Sequence, residues 1–295
     1  MKIKGIVTLL VLLFPVLGHS QTDIQMSQHI FNRSLYNPAS IDISGDINVY
    51  GHWRDQWQTW GGIRTISTSA NVYVPSCKFG FGIMIFKDQL GLEHDVQCKL
   101  TYSYHVFLND EKARLSLGLS AGLVDKTIKW SDAVVQEPGN TVPTELESKW
   151  KADFDFGLEY NTERFQAGFS VKHLNKRANN AHNIDFGQHF YGYLRYNFPR
   201  QNNVSFSATV FAQNSKKSTH IESNAILFYR SRMWIGAGYR CDEKLESESI
   251  VAMVGLNLFS FLRLGYSFDY NIGKIGIHTK NTHEIMLKIK IARLR

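Results

Sequence analysis

Arg54, Arg240, Asp269 and Glu284 each sit in a stretch that alternates polar and apolar residues, and each falls on the polar side of it. Two guanidinium groups and two carboxylates can pair with one another, and charges removed from water need such partners. The same groups along a water-filled path would serve transport; pairing across an enclosed interior is the favoured reading. Glu93, His94 and Asp95 offer three metal-ligand types. Consecutive residues do not converge on one ion without a special turn, so a solvated outer loop is expected there. His173, His182 and His189 are spread over a loop and a strand and are read as non-ligating. Cys77, Cys98 and Cys241 are odd in number and lack CxxC or Cys/His ligand spacing, so they read as apolar or turn positions. The sequence holds no HExxH, P-loop or dinucleotide fingerprint. No enzyme, cofactor or metal is expected.

The elements that carry these residues have a period of two. Val96, Cys98, Leu100, Tyr102 and Tyr104 alternate with Gln97, Lys99, Thr101, Ser103 and His105; Phe154, Phe156, Leu158 and Tyr160 alternate with Asp153, Asp155, Gly157 and Glu159. Such stretches are strands with one apolar and one polar face. They run about nine to eleven residues, the length a tilted strand needs to cross a bilayer. About fourteen can be drawn, the first at 47–57 and the last at 282–292. Short connections alternate with longer ones near 58–64, 87–95, 124–151, 173–186, 214–219, 241–248 and 271–281. Short turns on one side and long loops on the other mark an outer-membrane barrel, with both ends in the periplasm for an even strand count. Closure also pairs the backbone groups that an open edge would leave bare in lipid. The fold class is therefore all-β, a transmembrane antiparallel β-barrel. A soluble antiparallel sandwich is the weaker alternative, because its strands are usually shorter.

The N-terminus reads as a secretory signal over 1–20: basic Lys2 and Lys4, an apolar stretch from Ile6 to Leu17, and Gly18-His19-Ser20 before a cut at Gln21. Residues 21–46 then form a periplasmic N-terminal segment and 47–295 the barrel. Asn37 and Pro38 suit a turn that leads the chain into the barrel; a plug or partner-docking segment is the functional alternative. Aromatic residues at strand ends, among them Trp53, Trp57, Tyr160, Tyr191, Tyr193, Tyr196, Phe198, Trp234 and Tyr266, suit girdles at the bilayer interfaces. The formal charge of +7 comes from scattered basic residues, so no nucleic-acid partner is expected. Outer-membrane lipids are.

Four stretches resemble one family. Gln25-Met26-Ser27-Gln28-His29-Ile30-Phe31-Asn32 with Asn37-Pro38-Ala39 is similar to the "QFSQYMFN…NPA" that follows the leader in that family. Trp53-Arg54-Asp55-Gln56-Trp57 resembles its "RxQW" at the end of the first strand. Gly238-Tyr239-Arg240 with Asp242 is the third match. Gly265-Tyr266-Ser267-Phe268-Asp269-Tyr270 with Thr282-His283-Glu284-Ile285-Met286-Leu287 resembles "GYSYD…SHEIxL". The family is that of the PorP/SprF-like outer-membrane proteins of the type IX secretion and gliding machinery of Bacteroidetes. The resemblance implies an integral outer-membrane component working with other type IX components. In some members the partner is a periplasmic, peptidoglycan-associated lipoprotein; in others it is a large secreted surface adhesin. A passive channel or transporter for small solutes is the alternative, since fourteen strands can enclose a ligand path.

Overall fold

The computed structural model of the chain describes residues 25–57, 62–110, 112–128, 150–175, 187–215, 218–273 and 281–292. Fourteen strands follow one another around a closed ring. They are β1 (Ile47–Gln56), β2 (Ile63–Val74), β3 (Phe79–Leu90), β4 (Glu93–Leu108), β5 (Ala113–Ile128), β6 (Lys151–Thr162), β7 (Phe165–Lys172), β8 (His189–Asn197), β9 (Val204–Ser215), β10 (Thr219–Tyr229), β11 (Met233–Asp242), β12 (Ser247–Phe259), β13 (Leu262–Asn271) and β14 (Thr282–Ile291). Each pairs antiparallel with its chain neighbours. The ring closes where β1 meets β14, from Ile47 opposite Ile291 to Asp55 opposite His283.

The burial pattern is inside out for a soluble protein. Leu100 is 64% exposed and Leu119 and Ile235 are each 58% exposed, whereas Lys99 is 1% exposed and Glu159 is fully covered. An apolar exterior of this extent is stable only against lipid. The alternation seen in the sequence therefore points its apolar side to the membrane and its polar side to the lumen. The sandwich alternative falls away with the closed ring.

Two expectations are corrected here. The connection at 87–95 is no long loop. The β3–β4 ladder continues to Leu90 opposite Glu93, leaving a turn at Gly91-Leu92 in which Gly91 takes a positive φ of 55°. Glu93, His94 and Asp95 consequently lie in β4, where ladder pairing satisfies their backbone groups. The aromatic girdle also loses members. Tyr191, Tyr193 and Trp234 point into the lumen and are buried; strand alternation, rather than residue type, sets their face. Tyr160, Tyr196, Phe198 and Tyr266 do point outward. The leader, its cut at Gln21, His182 and most of 124–151 lie outside the described residues.

The segment expected in the periplasm is largely inside the barrel. From Met26 to Ile41 the chain sits in the lumen, with Met26–Ile30, Asn32 and Leu35–Ile41 all buried. It bends through a short 3₁₀ turn, Arg33–Leu35. Met26, Leu35 and Tyr36 pack with Met84, Phe86, Tyr191, Tyr193 and Phe211 on one side of the lumen. Ile30 packs with Ile226, Trp234, Val251, Met253 and Met286 on the other. The segment can enter because it mixes such apolar anchors with Ser27, Gln28, His29, Asn32 and Asn37, most of whose polar groups find partners on the polar lumen wall.

Candidate functional site

Strand alternation alone puts Arg54, Arg240, Asp269 and Glu284 on the lumen face, and barrel closure brings them to one place. Arg54 stands opposite Glu284 across the β1–β14 junction, and Arg240 stands opposite Glu222 across β10–β11. Arg54 Nη2 lies 2.8 Å from Asp269 Oδ2 and its Nη1 lies 3.0 Å from Glu284 Oε2. Arg240 Nη1 reaches the same Asp269 oxygen at 3.3 Å, and its Nε donates to Glu222 Oε2 at 2.8 Å. All five side chains are buried, so the groups form one charged network with no water screening it.

The lumen segment completes this network. The Ser27 hydroxyl donates to Asp269 at 2.8 Å and accepts from Arg54 Nη1 at 2.9 Å and Arg240 Nη2 at 3.1 Å. One donor and two acceptor positions are thereby all in use. The backbone N–H groups of Ser27 and Gln28 donate to the two Glu284 oxygens at 2.7 and 3.0 Å. His29 Nε2 lies 3.2 Å from Glu222 Oε1. Three carboxylates face two guanidinium groups, and the backbone donors of the segment offset the surplus negative charge.

Lower in the lumen a second cluster holds the same segment. Glu159 accepts from Arg33 Nε at 3.2 Å and from Asn161 Nδ2 at 2.6 Å; it also meets Arg114 and the Tyr193 hydroxyl. Burial works to lower the Arg33 pKa, but Glu159 and Tyr193, through charge and hydrogen bonding together, outweigh it and raise that pKa above the ordinary arginine value. Tyr36 receives the Met26 N–H at 2.9 Å. Burial, reinforced by the Glu284 charge, pushes its phenol well above the usual range.

Asn37 and Pro38 act at the bend. Asn37 Oδ1 accepts the Ala39 N–H at 2.9 Å, and its Nδ2 donates to the Leu158 carbonyl at 3.0 Å. A Cβ on Gly118 would overlap the Pro38–Ala39 peptide, and one on Gly157 the Asn37 side chain and the Pro38 ring. The pair is at once a turn and part of a plug. Trp57, by contrast, lies at the end of β1 with a positive φ of 59° and is not drawn into the network. Ser27, His29 and Glu222 are the members that sequence reasoning did not single out. Glu222 does carry the same signal as the other four, a charge on the polar side of an alternating strand.

One cluster has the makings of a metal centre. Asp153, Asp155 and His173 present ligand atoms within 4.8 Å of one another. Lys99 Nζ sits among them, 2.5 Å from Asp153 and 2.8 Å from Asp155. Its ammonium already supplies the cation.

With this geometry in place, a family model described as "Type IX secretion system membrane protein PorP/SprF" matches residues 18–289. The chain belongs to this family. It is thus an outer-membrane β-barrel of the type IX secretion system. No curated protein matches it. Among solved structures it is similar to the Ralstonia pickettii toluene transporter TbuX, at 11% identity and TM-score 0.53 over 88% of this chain and 93% of that one. It is also similar to the CymD monoaromatic hydrocarbon channel, at 11% identity and TM-score 0.53 over 92% and 94%. A Pseudomonas aeruginosa FadL homologue aligns at 11% identity and TM-score 0.52 over 88% and 93%. At such identities the likeness is one of fold.

Proposed function

We infer that this PorP/SprF barrel is a sealed scaffold of the type IX machinery. It anchors a periplasmic partner to the outer membrane, or assists export and attachment of one surface protein, and it neither catalyses a reaction nor conducts solutes. The observation that supports this reading is the plug: residues 26–41 occupy the lumen and tie to the wall through charge-assisted hydrogen bonds to Glu284 and Arg54 at one level and the Arg33–Glu159 ion pair at another. A passive channel gains little from a stopper held by so many charge-assisted bonds. The apolar exterior fixes the barrel in lipid and leaves the periplasmic face free for partners.

Affinity purification of the full chain from gently solubilised outer membranes, followed by mass spectrometry, tests this directly. A periplasmic lipoprotein or motor component should be recovered if the chain anchors the machine, and one large surface adhesin if it serves a dedicated cargo. A barrel that comes through alone, and that conducts steadily in a planar bilayer, would overturn the scaffold in favour of a channel.

A further inference from the structure

We propose that the periplasmic mouth of the barrel is a receptor for an acidic, extended segment of a periplasmic partner chain, gripped chiefly by Arg195, Arg263 and Lys288. This rests on the scaffold reading and says where and by what chemistry the partner is held.

The end of the barrel that carries Ile47, Ile291 and the short turns contains a cavity of about 750 Å³ beneath the plug. That volume lies within the ~300–1,000 Å³ of ordinary ligand clefts. Seven cations stand around it, Arg33, Lys112, Arg114, Arg164, Arg195, Arg263 and Lys288, against the two carboxylates Asp42 and Glu163. Arg33 and Arg114 are answered by Glu159. Arg195, Arg263 and Lys288 are held mainly by neutral groups. Arg195 donates to Asn197 Oδ1 at 3.0 Å and to Ser207 Oγ at 3.3 Å. Arg263 donates to Asn257 Oδ1 at 2.6 Å and lies 5.1 Å from the Phe31 ring centre. Neither has a carboxylate partner among the described residues. Lys288 lies 5.1 Å from the Tyr50 ring centre and, among the described residues, has Asp42 as its one carboxylate partner, at 3.6 Å.

Half-buried guanidinium groups left with neutral partners are poised for a carboxylate, which would add charge-assisted, two-pronged bonds. The neutral hydrogen bonds and ring contacts hold them in place beforehand, so little ordering remains for a ligand to impose. A second cavity, of about 630 Å³, shares Arg263 and Lys288 with the first and continues to Arg230, Arg232 and Lys290 at the rim. The basic surface is therefore a track from the barrel axis outward, longer than one small anion needs and suited to several residues of chain. Lipid head groups are a poor fit for its inner part. Arg195, Arg263 and Lys288 occupy lumen-facing positions of β8, β13 and β14, and the strand wall separates them from the bilayer.

The test uses the full chain purified in detergent, a fluorescent Glu/Asp-rich peptide, and a Gln/Asn-rich peptide of equal length. The acidic peptide should bind, the neutral one should not, and added salt should weaken the complex. Arg195→Gln/Arg263→Gln should weaken it roughly tenfold or more. Arg195→Lys/Arg263→Lys should keep most of the binding, and both variants are checked for folding by their heat-dependent migration on gels. Failure of the acidic peptide to bind, or equal binding to the glutamine variant, overturns the proposal. So does full competition by inorganic phosphate or by vesicles containing phosphatidylglycerol, either of which would make the mouth an anion or lipid site. The purification described above is repeated with the glutamine variant. If the wild type brings down a periplasmic partner and the variant does so equally, the scaffold stands and the receptor falls. If the wild type brings down none, the scaffold itself fails.

Discussion

At the scale of single residues, the lumen network gathers its stability from completeness. Arg54 touches two carboxylates and the Ser27 hydroxyl. Removing it leaves Asp269 and Glu284 buried with too little positive charge, a loss of about 3–5 kcal/mol by the usual penalty for breaking a buried pair. Arg54→Met is therefore expected to lower the yield of folded barrel, read as the fraction with heat-modifiable migration. Normal assembly with lost secretion would instead assign Arg54 to a working pathway. Arg54, Arg240, Asp269 and Glu284 were legible as charges on one face, because a period of two shows the side a residue takes. It does not show height along the barrel or which strands become neighbours on closure. Ser27 was hidden for that reason, since its place depends on a contact 242 residues away in the chain; Glu222 carried the same signal as the other four and was passed over.

At the scale of elements, strands and plug differ in how far the sequence exposes them. Every strand follows its alternating segment to within a few residues, because lipid on one side and polar lumen on the other enforce the period. The ends moved where hairpins continued past the membrane, as in β3 and β4. The segment 26–41 has no such period. Its residues are a mixture, and only the shape and polarity of the finished lumen give them a destination. A close fit is at Gly118 and Gly157 against Asn37-Pro38-Ala39. Gly118→Val should push the plug from its seat while leaving β5 paired, since valine suits a strand. Measured in planar bilayers, it should convert a silent barrel into one with frequent openings; an unchanged silent baseline would show that the plug yields without leaving.

At the scale of the whole molecule, the protein is a closed wall around an internal stopper, apolar outside and charged within. Deleting residues 26–41 should leave a barrel that still inserts, because strand pairing and lipid contact do not involve the segment, but that conducts steadily. The ion pairs between wall residues would remain, and water would take over the hydrogen bonds that the segment supplied, which lowers the cost of losing it. A deletion that abolishes insertion would show instead that the wall depends on its filling.

The position of Arg54 and Glu284 carries a last consequence. They face one another where the first strand meets the last, and both also hold the N-terminal segment. Completing the cylinder and seating the stopper thus draw on the same two side chains, and by reciprocity each event favours the other. An unfinished sheet cannot grip its stopper fully, and a finished one has the grip ready-made. On the sealed-scaffold reading, leak-tightness is then built into maturation: the moment at which the protein could become a hole is the moment at which it is filled.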